Sequence, residues 1–385
     1  MMPPMLEVSA VIPCLNEERT IVACVEKARR ALAELGVAGE VVVADNGSTD
    51  RSVALAGEAG ARVVVQPVKG YGAALQKGIA AARGRIIVMA DADGSYDWSA
   101  IVPFIRKIDE GYDVVIGNRF QGGILPGAMP LLHRYLGNPL LSAISRLAFR
   151  VKIGDVHCGM RAFTKDAFSR MMTTAPGMEF ATEMVANAAH QGLRIAEIPT
   201  RLYPDKRGRA PHLRTFRDGW RHLRFILTYA PDYLYLAPGA TLLALGIFLQ
   251  LALVRGPLDL AGVRLGIHYL ALGAMLSLIG FNVINLGMLA KALMAQRYPG
   301  LRSRTVDLLK RRFSLDGGLI LGAVMMLSGI TIDAVILAHR LANPGVSMED
   351  TVHLAFVATT LVVIGLNLLF SSFLLAMVLA PQSPD

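Results

Sequence analysis

The chain has 385 residues, 53% of them hydrophobic and 18% charged, with a mean hydropathy of +0.45. That balance excludes a wholly soluble globule and assigns part of the chain to a membrane. The net charge of +9 would suit nucleic acid, but the arginines cluster beside apolar stretches, so membrane lipid and lipid phosphate are retained as partners and nucleic acid is not.

Cys14, Cys24 and Cys158 are the only cysteines, an odd number without disulfide or zinc spacing, which fits a reducing compartment. Residues 1–7 lack a basic region followed by an apolar core, so no signal peptide is expected and the N-terminal domain is placed in the cytosol. Residues 8–13 read as a first strand and 17–35 as a helix, with Asn16 as its N-cap and Gly36 as its stop. Strands at 40–44, 62–65 and 85–90 then alternate with helices at 51–59 and 71–82, which predicts a largely parallel, doubly wound sheet.

Polar clusters fall between these elements. After the second strand, Asn46-Gly47 can turn the chain and Asp45 can accept hydrogen bonds from a base or ribose, while Thr49 or Asp50 can cap the next helix. The glycines of Lys69-Gly70-Tyr71-Gly72 permit close approach, and Lys69 can meet a phosphate. The apolar run 86–90 reads as a buried parallel strand, so Asp91-Ala92-Asp93-Gly94-Ser95 emerges where open α/β sheets hold ligands. Alternate residues of an extended segment point the same way, so Asp91, Asp93 and Ser95 can offer oxygens to one hard cation, Mg2+ or Mn2+, that also grips a diphosphate. A bare Asp-X-Asp before glycine is equally a turn after a strand. Asp97 reads as the cap of a helix over 98–108.

Asn118-Arg119-Phe120 follows a strand at 113–117 and leads into a Gly/Pro-rich loop. Over 133–150, Arg134, Asn138, Ser142 and Arg146 recur at four-residue steps among Leu, Ile and Phe, a polar stripe on a greasy rod. Such a rod suits a bilayer surface or internal packing, and Pro139 predicts a break in it. Residues 156–163 return to the sheet; Glu179 and Glu183 begin the next helix on one face, either as a functional pair or as acids at a helix N-terminus. A flexible cationic loop at 206–212 precedes a basic amphipathic helix, with Phe216, Trp220, Leu223 and Leu227 on its apolar face and Arg214, Arg217, Arg221 and Arg224 opposite.

Apolar stretches at 234–254, 267–289, 317–337 and 352–379 each reach the roughly 20 residues needed to span hydrocarbon. The strongly basic loop at 291–316 puts that loop, the N-terminal domain and the C-terminus in the cytoplasm by the positive-inside rule. The expected organisation is therefore a cytosolic α/β domain over 1–212, an interfacial amphipathic helix over 213–232 and a four-span helical membrane domain over 233–385.

Residues 11–18 (VIPCLNEE), 45–50 (DNGSTD), 69–72 (KGYG) and 91–93 (DAD), in that order, resemble the motifs of family 2 glycosyltransferases with a GT-A fold, a Rossmann-like catalytic domain. Asn118-Arg119-Phe120, the Arg134/Asn138 helix and the basic loop narrow the resemblance to polyprenyl-phosphate hexose synthases of the dolichyl-phosphate mannose or glucose type, over residues 6–230. The resemblance implies that Pro13, Asn16, Glu17 and Asp45 hold the nucleotide, that Asp91, Asp93 and the Ser95 position hold the metal, and that Arg119, Arg134 and Asn138 hold the acceptor phosphate. Arg207 and Arg209 would close over the donor diphosphate, in a loop that departs from the Gly-X-Ser-Lys pattern of the family; relatives often carry Gln where Ser95 stands.

The implied reaction transfers a hexose from a UDP- or GDP-sugar to polyprenyl phosphate with inversion. A lipid-linked-sugar flippase or membrane anchor with a degenerate catalytic domain is the alternative. A processive polysaccharide synthase fits less well, because the chain lacks a Gln-X-X-Arg-Trp motif and spans ahead of the catalytic domain. A homo-oligomer remains open.

Overall fold

The β-branched runs of the first half assemble one seven-stranded sheet, seen in a computed structural model that describes residues 6–208, 215–260, 262–297, 304–343 and 348–379. The chain divides into two units, Met1–Tyr229 and Ala230–Asp385. The strands are β1 Val8–Cys14, β2 Gly39–Asp45, β3 Arg62–Val65, β4 Ile86–Met89, β5 Val114–Asn118, β6 Arg161–Thr164 and β7 Ile195–Pro199. Between them lie helices α1 Ile21–Glu34, α2 Ser52–Glu58, α3 Tyr71–Ala81, α4 Val102–Asp109, α5 Arg119–Gly122, α6 Asn138–Phe149, α7 Lys165–Met171 and α8 Phe180–His190. The last helix of this unit is α9 Thr215–Tyr229.

The strand order is β3-β2-β1-β4-β6-β5-β7. All neighbours run parallel except β6, which is antiparallel to both β4 and β5. Because β1 has β2 on one side and β4 on the other, the loops leaving β1 and β4 part company at their carboxyl ends, and a crevice opens there. Val11, Ile12, Val42, Val43, Ile87 and Val88 are fully buried, as expected where helices cover both faces of a sheet. On one face α3 comes close enough that a Cβ added to Gly78 would lie 2.6 Å from Val11 Cγ1.

Asn16 does not cap α1. That helix begins at Ile21, behind Thr20 and without a side-chain cap, because the intervening loop is tied to the one after β2. Asn16, at φ +58°, accepts through Oδ1 from Thr49 N at 2.7 Å, and Ser48 Oγ and Ser52 Oγ accept from Asn16 N and Glu17 N at 2.9 and 2.7 Å. Asp97 does cap its helix, accepting from Ser99 N at 3.2 Å ahead of a 3-10 turn, Trp98–Ile101, that runs into α4.

Pro139 does not break the greasy rod. A π-helical turn at His133–Gly137 widens the backbone just ahead of it, accommodating a residue with no N–H to donate. Of the polar stripe only Ser142 is buried, with Ser145 beside it: Ser142 Oγ accepts from Val156 N at 3.3 Å, while Arg146 is exposed and its Nη1 donates to Ile153 O at 3.3 Å. Leu136, Leu140 and Leu147 are exposed.

Helix α9 packs on its unit through residues that belong to neither of the two faces its periodicity set out. His222 and Ile226 are buried, Ile226 beside Phe149 and Ala186, and Trp220 is exposed; Arg214 lies outside the described residues, as does the placement of the Phe216 side chain.

The second unit carries α10 Ala237–Leu253, a short hairpin of β8 Leu258–Leu260 and β9 Val263–Leu265, then α11 Ile267–Arg297, α12 Arg304–Arg312, α13 Leu315–Ala342 and α14 Met348–Leu379. Four helical segments are long and apolar enough to cross a membrane: Asp232–Leu253, Ile267–Gln296, Leu315–Ala342 and Thr351–Leu379. Glycines mark their contacts, since a Cβ on Gly246 would lie 2.4 Å from Ser277 N and one on Gly322 2.8 Å from Gly365 O. Lys291 belongs to α11 rather than to the basic loop, and its Nζ pairs with Asp232 at 2.5 Å.

Candidate active site

The carboxyl end of β4 delivers Asp91 and Asp93 into the crevice. The loop that carries them is held from below, with Trp98 Nε1 donating to Asp91 O at 3.3 Å and Cys24 Sγ to Ala92 O at 3.4 Å. Asp93 turns the chain as well as facing the crevice: its Oδ1 accepts from Ser95 N at 2.9 Å, and Gly94 sits at φ +75°, where a side chain would be strained. The contact that Ser95 makes here is through its backbone; its side chain is buried.

Burial, and then the neighbouring charge of Asp93, push the Asp91 carboxyl up to about 6, against the opposing effects of a hydrogen bond from Tyr71 and the charges of Arg207 and Arg119. Gly159 backs the same carboxylate so closely that an added Cβ would lie 2.8 Å from Oδ2. Two crowded carboxylates with hard oxygen donors fit Mg2+ or Mn2+. Among the described residues no three His, Cys, Asp or Glu side chains form a fuller cage, so water or a ligand would supply the remaining oxygens.

Arg207 bridges the crevice. Its Nη2 donates to Asp93 Oδ2 at 2.5 Å and its Nε lies 3.3 Å from Glu17 Oε1. Arg209 lies outside the described residues. The loops after β1 and β2 form the adjoining wall. Asp45 is buried and accepts from Gly47 N and Ser48 N at 3.0 and 3.1 Å, so it shapes its own turn. Asn46 ties that turn to the Lys69 loop, donating to Gln66 O and Val68 O and accepting from Gly70 N at 2.7 Å. Lys69 Nζ donates to Asn46 O at 2.8 Å. Pro13 lies in β1 two residues beyond the last β1–β4 pair, Val11↔Met89.

Arg119 and Arg134 stand in different environments. Arg119 is locked onto Asp155 through Nε at 2.6 Å and Nη2 at 2.8 Å, with side chains only 10% and 0% exposed. This pairing uses one edge of the guanidinium and leaves the Nη1 side for another anion. Arg134 has no carboxylate within ion-pair distance among the described residues, and its guanidinium lies 5.5 Å over the Tyr135 ring. Asn138 Nδ2 meets Met129 Sδ at 3.4 Å.

Asp155, Gly159 and Arg161 are absent from the motifs legible in sequence, and Tyr71, though inside the KGYG motif, carried no assigned role there. Arg161 is fully buried and donates to the carbonyls of Cys158, Ala181 and Val156 at 2.7–2.8 Å, which holds the loop behind Asp91. A lone arginine within the stretch 156–163, just ahead of Ala162 and Phe163, was the only signal. Glu183 proves to be a fully buried anchor, accepting from Thr174 N and Ala175 N at 2.9 and 2.7 Å. Glu179 Oε2 is buried without a hydrogen bond among the described residues.

A sheet with its strand-order reversal at a two-aspartate crevice, followed by four helices long and apolar enough to cross a membrane, is the arrangement of an α/β enzyme with a membrane-spanning region. Residues 9–172 match the family described as glycosyl transferase family 2, and residues 288–379 match the glycosyltransferase family 2 C-terminal transmembrane region. The low-salt glycan biosynthesis hexosyltransferase Agl6 of Haloferax volcanii is 39% identical over 368 residues, covering 95% of this chain and 88% of that protein. From the same organism, glycosyltransferase AglJ is 32% identical over 72% of this chain and 95% of its own length. A dolichyl-phosphate hexose transferase there is 30% identical over 50% of this chain and 81% of its own. The chain belongs to glycosyl transferase family 2: it is a glycosyltransferase with a GT-A fold and a membrane-spanning C-terminal region.

Proposed function

We propose that the protein transfers a hexose, glucose or mannose foremost, from a UDP- or GDP-sugar to undecaprenyl or dolichyl phosphate, inverting the anomeric carbon. The observation that carries this reading is Arg134, a guanidinium without a carboxylate partner among the described residues, at the head of a helix with exposed leucines. A phosphate bearing an apolar tail is the acceptor that satisfies both features. The relative named as a dolichyl-phosphate hexose transferase supports it.

In this reading Pro13, Asn16, Glu17 and Asp45 line the nucleoside side, Lys69 supports the wall, and Arg207 faces the diphosphate. Asp91, Asp93 and the Ser95 position would hold the metal. Mg2+ or Mn2+, when bound, offsets the charge that develops on the departing diphosphate. Arg119, Arg134 and Asn138 aim one acceptor oxygen at the anomeric carbon. A phosphate monoester, with a second pKa of about 6, already carries its attacking charge at neutral pH, so no side chain has to remove a proton. The catalytic unit and the chain ends lie on the cytoplasmic side of the cell membrane; tags at the N-terminus and near Arg304 should report cytoplasm and one near Gly262 the opposite side.

The test is a panel of radiolabelled nucleotide sugars given to membranes with polyprenyl phosphate. One of them should yield a glycolipid, and label passing only to non-lipid acceptors would reject the reading. Arg134→Ala should lower glycolipid formation by roughly 10²-fold, the loss expected of one preorganised charge, while calorimetric donor binding stays unchanged. Arg119→Ala is a poorer probe because it strands Asp155.

A further inference from the structure

Arg207 occupies the place a second cation needs. Its guanidinium touches Asp93 Oδ2 at 2.5 Å and approaches Glu17, with the three side chains 16%, 11% and 7% exposed. The strand-like segment that carries it is stitched to the aspartate loop, Tyr203 N donating to Ser95 O at 2.9 Å and Lys206 N to Asp93 O at 3.0 Å. Without this cation, Asp93 and Glu17 would be close carboxylates in a poorly hydrated crevice that also contains Asp91. Yet the fit is incomplete. Arg207 Nε is buried and makes no hydrogen bond among the described residues, although Glu17 lies within ion-pair distance.

A divalent ion held by Asp91 and Asp93 would compete with the guanidinium for Asp93, because two cations sharing one poorly hydrated carboxylate repel each other and divide its charge. The displaced guanidinium would then be left partly desolvated with one anion fewer. A diphosphate repairs that deficit, because its oxygens accept a planar fork in two bonds and bring further negative charge. Metal and diphosphate therefore solve each other's problem: the metal frees Arg207 from Asp93, and the diphosphate gives Arg207 a new partner.

We propose that Arg207 is a resident counter-ion of the metal site, which weakens binding of the metal alone and makes metal and nucleotide diphosphate bind cooperatively by exchanging Asp93 for the diphosphate. The inference rests on the donor-site reading above. It makes Arg207 a positioning residue whose first effect is on binding order, ahead of any effect on transfer. Cooperativity of this kind is reciprocal, so nucleotide tightens metal binding by the same factor as metal tightens nucleotide binding.

The experiment uses the full-length protein in detergent and follows Mn2+ binding by electron paramagnetic resonance, alone and with saturating UDP or GDP, in wild type, Arg207→Gln and Arg207→Lys. Arg207→Gln should bind Mn2+ alone more tightly than wild type, by a factor within the range of about 5- to 150-fold typical of site coupling. Its ratio of Mn2+ affinities with and without nucleotide should shrink correspondingly. Arg207→Lys keeps the charge and should stay close to wild type in the absence of nucleotide. If Arg207→Gln binds Mn2+ alone no better than wild type, or binds it better with the ratio unchanged, the counter-ion role is wrong even though the donor site stands. If wild type binds neither Mn2+ nor either nucleotide, the donor-site reading itself is wrong.

Discussion

The two units of this chain follow opposite burial rules. In the catalytic unit the interior is Val, Ile and Phe, and the charges admitted are held by partners: Arg119 by Asp155, and Arg161 by three carbonyls. In the membrane unit the buried positions include Gly246, Gln250, Ser277 and Gly322, while Phe248, Leu251, Ile320 and Leu321 face outward. Each unit buries what its solvent does not favour. Water drives apolar side chains inward, whereas in hydrocarbon the gain comes from close backbone packing at small residues and from interhelical bonds such as Gln250 Nε2 to Ser277 Oγ at 2.8 Å. Helix α6, in the catalytic unit, mixes the two rules: Ser142 and Ser145 are buried along with Phe149, while Leu140 and Leu147 are exposed. An exposed apolar face of this kind is a candidate for lipid contact.

The contrast can be broken most severely at the paired charge. Asp155→Ala leaves Arg119 buried without its carboxylate and should cost about 3–5 kcal/mol of catalytic-unit stability, seen as a lower denaturant midpoint. A midpoint unchanged from wild type would mean that water reaches the pair freely.

In the membrane unit the equivalent lesion is steric. Gly246→Leu drives a side chain into the backbone of α11 and should cost about 1–3 kcal/mol, whereas Leu321→Ala on an outward face should barely shift the melting temperature in detergent. Equal effects of the two would erase the proposed difference between the units.

Acid should sharpen the contrast through two histidines of the catalytic unit whose ring nitrogens are buried. Burial pulls His190 down to about 4, and burial with the nearby His222 pulls His157 well below its usual range. The stabilisation from these depressed values is present above the unfolded pKa of about 6.5 and is lost as pH falls towards the folded values. His190 alone should contribute a loss of about 2 kcal/mol by pH 5. Thermal melts at pH 7 and 5 should move apart for wild type and less so for His190→Gln.

The mildest test concerns helix α6. Leu140→Glu on the exposed face of α6 should change stability by less than about 0.5 kcal/mol, yet lower transfer to a long-chain polyprenyl phosphate in bilayers several-fold. A water-soluble short-chain acceptor should be used as before. A loss of stability larger than this would mean that Leu140 packs inside the protein.

Much of this molecule was legible without coordinates. The alternation of short β-branched runs with amphipathic helices specified the parallel sheet, because a strand buried on both faces must be apolar throughout. The lengths of the four apolar stretches specified the spans, since hydrocarbon thickness leaves little choice. The order of the motifs from Pro13 to Asp93 specified the family. Tertiary structure decided the rest. Nothing local distinguishes Arg119, paired with Asp155 from 36 residues away, from Arg134, which lacks such a partner among the described residues. The stripe Asn138, Ser142 and Arg146 was visible as a periodicity, but a period does not say which residues are covered, and only the loop at 153–156 buried Ser142 and engaged the exposed Arg146. The same holds at the active site. Two aspartates on one strand end are a local fact, whereas the Tyr71, Gly159 and Arg207 that surround them come from three distant segments, brought together because β1 and β4 part at the reversal of the sheet.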